Sequence, residues 1–494
     1  MEIEDEYIRL IFGLKLKQLR TDKNLSLFGL AKLTGLSKSY LNEIEKGKKY
    51  PKTDKIAVLS DKLEVPYDHL VSLKLDKNLA PIGEILQSKI LKEIPLDLFG
   101  IKENNLIDIV ANAPAKVNAF ISTIIKIAQN YNLTRESFFL ASLRSYQEAH
   151  NNYFEETESA VEKFAKEYQI NLDQKIKSLD LEEILIEEFN YTINTTEFST
   201  HNNLEELRTI YIPKKNILLL KENISEAQKT FIYAKELAYN YLKIEDRLYT
   251  FPWIEFKSFD QVLNNFIASY FAGALIIPKN SIVKNLKQVF NNQTWQPNEF
   301  ENILNQYNCS PETFYQRLTN ILPKHFHIKN LFFLRFNKTK KKELFKLKKE
   351  LHITQQQDPH GNRNNEHYCR RWIALKTLND LEKSKKLKTT FNLQISSYEN
   401  SNSNYLVLSS AGADPFKKDQ NRSTCIGMLL SPHLKKKIQF SEDPNIPTRI
   451  VGVTCETCAV NNCKERIMPA LILNKQLQYK EISETVKGIL NKFS

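Results

Sequence analysis

A sharp corner between two short helices near the N-terminus constrains this chain more than any other feature of its sequence. Thr34-Gly35-Leu36 separates two apolar-periodic segments, and its glycine can adopt the left-handed backbone conformation that such a corner requires. The second segment follows Ser37, a favourable N-cap, has Leu41 and Ile44 three residues apart, and ends at Gly47. Its remaining positions are polar, so the sequence predicts a helix with one buried and one exposed face.

Further apolar segments predict a five-helix domain around this corner. They are Tyr7–Leu19, the stretch that starts at the N-cap Ser26, Asp54–Leu63 and Tyr67–Leu73. The domain is basic, because Lys15 to Lys55 contains eleven Lys and Arg against four Asp and Glu. Such an excess favours a polyanionic partner, although a solvated basic surface has the same composition.

The run from Leu30 to Gly47, with Pro51, Ile56 and Leu63-Glu-Val-Pro66 after it, resembles the lambda-repressor/Cro-like (XRE) helix-turn-helix family. The resemblance covers residues 7–75 and implies that double-stranded DNA is the partner. The helix that begins at Lys38 would then lie in the major groove. The alternative is a small helical bundle that makes no contact with DNA.

The same resemblance implies which side chains meet DNA. Those nearest base edges would be Lys38, Ser39 and Glu43, and those nearer phosphates Tyr40, Asn42, Lys46, Lys48 and Lys49. The chemistry agrees, because Lys donates to guanine acceptors and Glu accepts from cytosine N4. Leu27 and Phe28 depart from the family, whose members often have a polar residue there.

The whole chain is long enough for several domains and favours helices. A prior of roughly 150 residues per domain gives three or four units for 494 residues. The chain has 12 glycines, 41% hydrophobic and 26% charged residues, and a net charge of +12. We therefore expect a multidomain, mainly α protein with α+β parts. An acidic N-terminus and no run of ~20 apolar residues predict a cytoplasmic, nucleoid-associated protein without membrane contact.

We expect five parts in chain order. They are the helix-turn-helix domain at 1–75, a helical connector or dimerisation segment at 76–150, a zincin-like α+β domain at 151–295, a helical element with a lysine-rich linker at 296–352, and a β-rich cysteine-bearing domain at 353–494. A homodimer is expected because a twofold pair spaces two reading helices about one DNA turn apart.

The central part combines a predicted hairpin with a long helix. Tyr211-Ile-Pro and Ile217–Leu220 are short strands, and Ser225–Leu242 is helical. Phe231–Leu242 and Asn265–Pro278 resemble the ImmA/IrrE family of zinc-peptidase domains, whose helix carries His-Glu-x-x-His. In this chain Lys235 and Tyr239 match the two histidines.

Asn265 matches the third, acidic ligand, and Glu236 alone keeps the general base. Zinc catalysis on this scaffold needs the imidazoles and an open water position, so the resemblance implies a site without metal and without catalysis. Glu236 is then expected to be a buried or paired carboxylate, with Lys235 or Lys243 as its partner.

The segment that follows contains two further predictions. Phe300–Tyr307 and Ser310–Leu322 predict a second helix-turn-helix-shaped element, and the lack of a basic face favours packing over DNA contact. Leu331–Phe336 predicts a buried strand leading into a lysine-rich helix or linker, because Lys338–Lys349 has seven Lys in twelve positions.

The C-terminal part predicts strands at Leu393–Ser397, Tyr405–Ser409, Ser423–Leu430 and Thr448–Val453. Cys369-Arg-Arg-Trp372, Thr424–Met428 and Gly452–Pro469 resemble the terminal domain of the short-chain fatty acyl regulators, an XRE group with this domain order. The resemblance implies a DNA-binding transcriptional regulator whose effector is a metabolite such as a short-chain acyl-CoA. An active metalloprotease acting on a repressor, and a phage or restriction control component, are the alternatives.

Cysteines separated by two and then by four residues predict a metal site. Cys455, Cys458 and Cys463 would hold Zn²⁺ or an iron–sulfur cluster, with Cys425 as the fourth ligand or Cys369 or His433 in its place. The alternatives are small buried hydrophobes or a redox sensor. No other cofactor is expected.

Overall fold

The structure is a computed structural model that describes residues 2–73, 135–201, 204, 207–251, 255–340, 344–353, 367–383, 390–398, 403–414, 417, 419–460 and 462–493. The chain divides into two compact units, Met1–Ser142 and Leu143–Ser494. The first is helical where it is described, and the second mixes helices with two sheets. The finer division into five parts stays a prediction.

The N-terminal domain has the five expected helices. They are α1 (Glu2–Asp22), α2 (Leu27–Thr34), α3 (Lys38–Glu45), α4 (Thr53–Leu63) and α5 (Tyr67–Val71). Ser26 and Ser37 cap α2 and α3 through their side chains, and Gly35 closes α2 with a φ of 72°. The apolar faces pack into one core made of Phe12, Leu16, Leu30, Leu41, Ile44, Ile56, Leu59, Leu63 and Leu70. These caps and the turn confirm the predicted helical corner.

Most of the predicted connector, from residue 76 to residue 134, lies outside the described residues. Its last part is helix α6 (Arg135–Ala149), inside which the division between the two units falls.

Helices and a small sheet form the first part of the second unit. The helices are α7 (Glu155–Glu167), α8 (Ser178–Glu187), α9 (Glu226–Tyr241), α10 (Phe259–Ile276), α11 (Lys279–Phe290), α12 (Pro297–Gln306) and α13 (Pro311–His325). The strands β1 (Thr192–Asn194), β2 (Thr209–Ile212), β3 (Ile217–Leu220) and β4 (Thr250–Phe251) form a sheet in the order β1-β3-β2-β4. β2 and β3 are antiparallel, as predicted for the hairpin.

A six-stranded sheet forms the second part of this unit. Its strands are β5 (Leu331–Thr339), β6 (Phe345–Ile353), β7 (Thr390–Tyr398), β8 (Ser403–Ala413), β9 (Gln420–Leu429) and β10 (Thr448–Val451), in the order β10-β7-β8-β9-β5-β6. All neighbours are antiparallel except β10 and β7. The elements α14 (Ile373–Lys383), α15 (Pro432–Lys437) and α16 (Leu471–Phe493) complete the described structure.

Both faces of the larger sheet are covered. Phe333 and Leu408 point into a core shared with α12 and α13, whereas Phe332 and Val407 point into a second core with α14. This alternation follows from the period of two residues in a strand. The predicted strands in 393–453 are confirmed, as is the strand at Leu331–Phe336. Helices α12 and α13 bury their apolar faces in the first core, which agrees with a packing role.

The prediction of a lysine-rich helix or linker across Lys338–Lys349 was wrong. Lys338 lies in β5, and Phe345–Ile353 is strand β6, paired with β5 from Leu331 to Lys338. The strand buries Phe345, Leu351 and Ile353 while its lysines remain largely exposed. The alternation of apolar and basic residues is typical of a strand, and the prediction failed because it followed the number of lysines instead of this alternation.

Among the described residues, no single helix is long and apolar enough to cross a membrane. α10 and α11 pass such a test only jointly, as a pair bent by 63°.

Candidate functional site

Helix α3 presents the expected polar face to solvent. Leu41 and Ile44 are fully buried, so the opposite side of the helix must face outward. Among the residues predicted to contact DNA, Lys38, Ser39, Lys46, Lys48 and Lys49 are exposed, and Tyr40, Asn42 and Glu43 are partly exposed. The structure thus brings all eight together on α3 and the loop after it.

Glu43 has a partner on this surface. Lys49 Nζ lies 3.6 Å from Glu43 Oε2 and 5.3 Å from the centroid of the Tyr40 ring. Both charged side chains are about half exposed, at 55% for Lys49 and 46% for Glu43. Such a pair contributes little to stability, so Lys49 is free to leave Glu43 for a stronger anion.

The buried end of α3 is fixed to α1 by a side chain that sequence reasoning missed. Arg20 donates from Nε to Glu45 Oε1 at 2.6 Å and from Nη2 to Oε2 at 2.9 Å. Its Nη1 also donates to the Leu25 carbonyl at 2.7 Å. A bidentate pair of this kind fixes orientation as well as distance. The helical pattern could not reveal it, because the two residues are 25 positions apart.

A close backbone approach supports the same contact. At Gly13 in α1, an added Cβ would overlap the carbonyl oxygen of Ile44 near the end of α3. Only glycine leaves room for the two helices at this separation.

Comparison with known proteins agrees with this geometry. Residues 16–70 match the helix-turn-helix family model. This N-terminal stretch is therefore a helix-turn-helix domain of the XRE kind, which supports a DNA-binding transcriptional regulator. No curated protein matches the chain. Among solved structures, a Mycobacterium tuberculosis transcriptional regulator is similar over 66% of this chain and 92% of its own, with 16% identity and a TM-score of 0.46. That likeness is too distant to support an argument.

Outside the helix-turn-helix domain, the residues matched to a peptidase site come together around α9. Lys235 Nζ donates to Asn265 Oδ1 at 2.6 Å, and the Tyr239 hydroxyl lies 3.5 Å from the same oxygen. Lys235 and Tyr239 are buried. Burial lowers the pKa of Lys235 to about 7; the nearby charges of Arg247 and Lys349 act in the same direction and Glu236 opposes them.

Glu236 is paired, but not with the expected lysines. Arg247 Nη2 donates to Glu236 Oε2 at 2.5 Å, and the Tyr191 hydroxyl donates to it at 3.2 Å. Lys235 and Lys243, which the sequence suggested, were the wrong partners. Arg247 lies eleven residues away and is 6% exposed, and its guanidinium carbon stands 3.9 Å from the Tyr239 ring centroid. The carboxylate at the general-base position is thus paired with the Arg247 guanidinium.

A third cluster collects cysteines next to the larger sheet. Cys369, Cys455, Cys458 and Cys463 line a cavity with about 290 Å³ of empty space, including its open mouth. The Arg466 guanidinium stabilises this loop by donating to the carbonyls of Cys455, Cys458 and Val460 at 2.7, 3.0 and 2.8 Å.

The fourth ligand chosen from the sequence lies elsewhere. Cys425 is in β9, between Leu334 and Ser409 of the neighbouring strands, and is not among the described side chains that line the cavity. His433 places Nε2 3.2 Å from the Phe326 carbonyl oxygen. Cys369 reaches the motif through the bridge between Tyr368 and Thr454, a long-range pairing without any sequence signal.

The cysteine cavity does not fit a metal centre in this structure. Within the described residues, no three His, Cys, Asp or Glu side chains are arranged to hold a metal ion. Burial raises the pKa of Cys369 to about 11, so its sulfur is a thiol when no metal is bound. Zinc at these cysteines stays a prediction, which metal analysis of untagged protein tests.

Proposed function

We propose that this protein is a sequence-specific DNA-binding transcriptional regulator that inserts α3 into the major groove. The observation that carries the proposal is the exposed polar face of α3 in a domain that matches the helix-turn-helix family. On this face Lys38, Ser39 and Glu43 contact base edges. Tyr40, Asn42, Lys46, Lys48 and Lys49 lie beside phosphates.

The pair formed by Glu43 and Lys49 suggests how α3 changes its contacts when it binds DNA. In the free protein Lys49 neutralises Glu43 across 3.6 Å of partly exposed surface. A phosphate offers Lys49 a stronger partner, and its departure leaves the Glu43 carboxylate to accept from cytosine N4. Phe28 is 68% exposed at the start of α2. It would make an apolar contact with the DNA at the position where members of this helix-turn-helix family often have a polar residue.

The test removes the base-contacting groups and keeps the fold. A full-length variant with Lys38→Ala and Glu43→Ala should lose protection of a DNA site selected from a random library. Lys62→Ala, on the exposed side of α4, is the matched control and should leave the footprint unchanged. An unchanged footprint in the double variant would refute the assignment of α3 as the reading helix.

A homodimer is part of this proposal, and α16 is the surface that supports it. Tyr479, Ile482, Val486 and Ile489 repeat at intervals of three and four residues and are 48–63% exposed. This spacing is that of a coiled-coil seam, and an exposed apolar stripe of this kind favours association. The flanking residues Gln478, Ser483 and Thr485 are uncharged, so a second copy of the helix meets no like-charge repulsion there.

The peptidase-like region is proposed to regulate rather than to hydrolyse. One support is the ion pair of Arg247 with the Glu236 carboxylate, which takes up the group that a general base would need. The other is the hydrogen bond from Lys235 to Asn265, at the two positions where metal ligands would be needed. By family resemblance, the second unit would bind a metabolite, a short-chain acyl-CoA being the candidate, and shift the DNA-binding equilibrium. Such a regulator would act in the cytoplasm, at the nucleoid.

A further inference from the structure

A narrow cleft beside α9 contains an amine that the DNA-binding role leaves unexplained. The cleft has about 310 Å³ of empty space, including its open mouth. Apolar and aromatic side chains from Phe231, Ile232, Leu248 and Phe251 form part of its walls, polar groups of residues such as Thr209 and Tyr239 form the rest, and Lys235 lies among them. Lys235 is 6% exposed, and its Nζ stands 4.9 Å from the Phe251 ring centroid.

The charge balance around Lys235 favours a neutral amine. The adjacent carboxylate, Glu236, already accepts from Arg247 and Tyr191. Lys235 itself donates to the neutral amide oxygen of Asn265. An ammonium in this cleft therefore has burial without a carboxylate of its own, while the cations Arg247 and Lys349 repel it. Deprotonation relieves this cost, in agreement with a pKa of about 7.

We propose that Lys235 is a nucleophilic amine that captures a small aldehyde as a Schiff base in this cleft. A buried lysine whose amine is desolvated and neutral is the form that attacks a carbonyl carbon. An uncharged electrophile is favoured, because the Arg247 guanidinium that an anionic ligand would need is already committed to Glu236. The narrowness of the cleft favours a short chain.

The reaction balances without any further reagent. The lone pair of Lys235 Nζ adds to the carbonyl carbon, and a proton moves from nitrogen to oxygen to give a carbinolamine. The second amine proton and the hydroxyl then leave as water, and a carbon–nitrogen double bond forms. Burial raises the pKa of Tyr239, so its hydroxyl stays protonated beside Asn265 and can protonate the leaving oxygen, regaining a proton from the iminium.

Reductive trapping tests the proposal on the full-length protein. Acetaldehyde and cyanoborohydride are added at pH 7, and mass spectrometry of the digest ranks the ethylation rate of each lysine. With a pKa of about 7, about half of Lys235 is neutral at this pH, against roughly one in 2,500 for an ordinary lysine. We expect Lys235 to react at least about tenfold faster than Lys243, an exposed lysine just after the same helix, after allowance for slower entry.

Two variants and a competing anion test whether the fast reaction occurs at Lys235. Lys235→Gln should abolish the fast-reacting site, whereas the matched control Lys243→Gln should retain it. The ranking in the unmodified protein decides the question even if Lys235→Gln fails to fold. A Lys235 rate equal to or below that of Lys243 would overturn the proposal. Protection of Lys235 by acetate at the same concentration would also overturn it, since the cleft would then be an anion site.

Discussion

At the scale of single residues, Glu45 holds the reading helix from its buried end. It accepts two hydrogen bonds from Arg20, and its side chain is 7% exposed. Glu43, two positions earlier, is 46% exposed and pairs with Lys49 at 3.6 Å. The two glutamates thus differ in burial and geometry, although the sequence alone shows the same residue type twice in one helix.

Replacing Glu45 by Gln should loosen α3 against α1. The weaker acceptor leaves Arg20 partly unsatisfied, at a cost of about 1–3 kcal/mol in the free energy of unfolding of this domain. Glu43→Gln, the matched control, should change it by about 0.5 kcal/mol or less. Hydrogen exchange of residues 16–70 measures both. Equal protection in the two variants would contradict a structural role for the bidentate pair.

At the scale of elements, periodicity and capping residues predicted most helices and strands. Ser26 and Ser37 are N-caps in the structure, as the sequence predicted. The failure at Phe345–Ile353 came from counting lysines instead of following the alternation of apolar residues. Arg247 could not be predicted as the partner of Glu236, because tertiary packing alone brings the two together. The sequence offered Cys369 only as one of three candidates for the fourth position, and the pairing of Tyr368 with Thr454 is what brings it to the cysteine motif.

The strand β6 is linked to its neighbours through Glu312 at the start of α13. Glu312 accepts from Arg335, Arg422 and Lys349, which lie on β5, β9 and β6. Burial raises the pKa of Glu312, but these three cations outweigh it and hold the pKa well below its ordinary value. A lowered carboxyl pKa stabilises the folded state above the unfolded pKa, and this stabilisation is lost as pH falls toward the folded value.

Glu312→Gln should therefore destabilise the second unit most at neutral pH. Breaking a buried charge cluster costs about 3–5 kcal/mol. The difference from the unmodified protein should shrink as pH falls below about 4, where the unfolded carboxyl becomes protonated. Urea unfolding across pH measures this, with Glu442→Gln at an exposed pair as control. A difference that does not vary with pH would contradict ionisation as the cause.

At the scale of the whole molecule, the sequence located the helix-turn-helix domain and its polar face, because the signals of caps, turn and periodicity are local. It did not reveal that β5 and β6 would join one sheet with the cysteine-bearing strand β9. This pairing brings together residues as distant in the chain as Leu331 and Met428. Contacts at such a separation form through tertiary packing and leave no local pattern to follow.

The seam on α16 gives the assembly a direct test. Full-length protein should sediment as a dimer, at twice the 57.6 kDa of one chain. Ile482→Lys with Val486→Lys should yield monomers, because two cations then interrupt the apolar stripe. Glu484→Lys, on the polar side of the same helix, should remain dimeric. A seam variant that stays dimeric would place the contact elsewhere in the chain.

Sequence specificity tests most directly whether α3 reads bases while the surrounding lysines contact phosphates. Affinities for a selected site and a scrambled site are measured across salt concentrations for three full-length proteins. Lys38→Ala should lower affinity for the selected site alone, by about 1–3 kcal/mol. Lys46→Ala with Lys48→Ala should weaken both sites equally and reduce the salt slope by about two. Equal losses on both sites for Lys38→Ala would contradict base reading by α3.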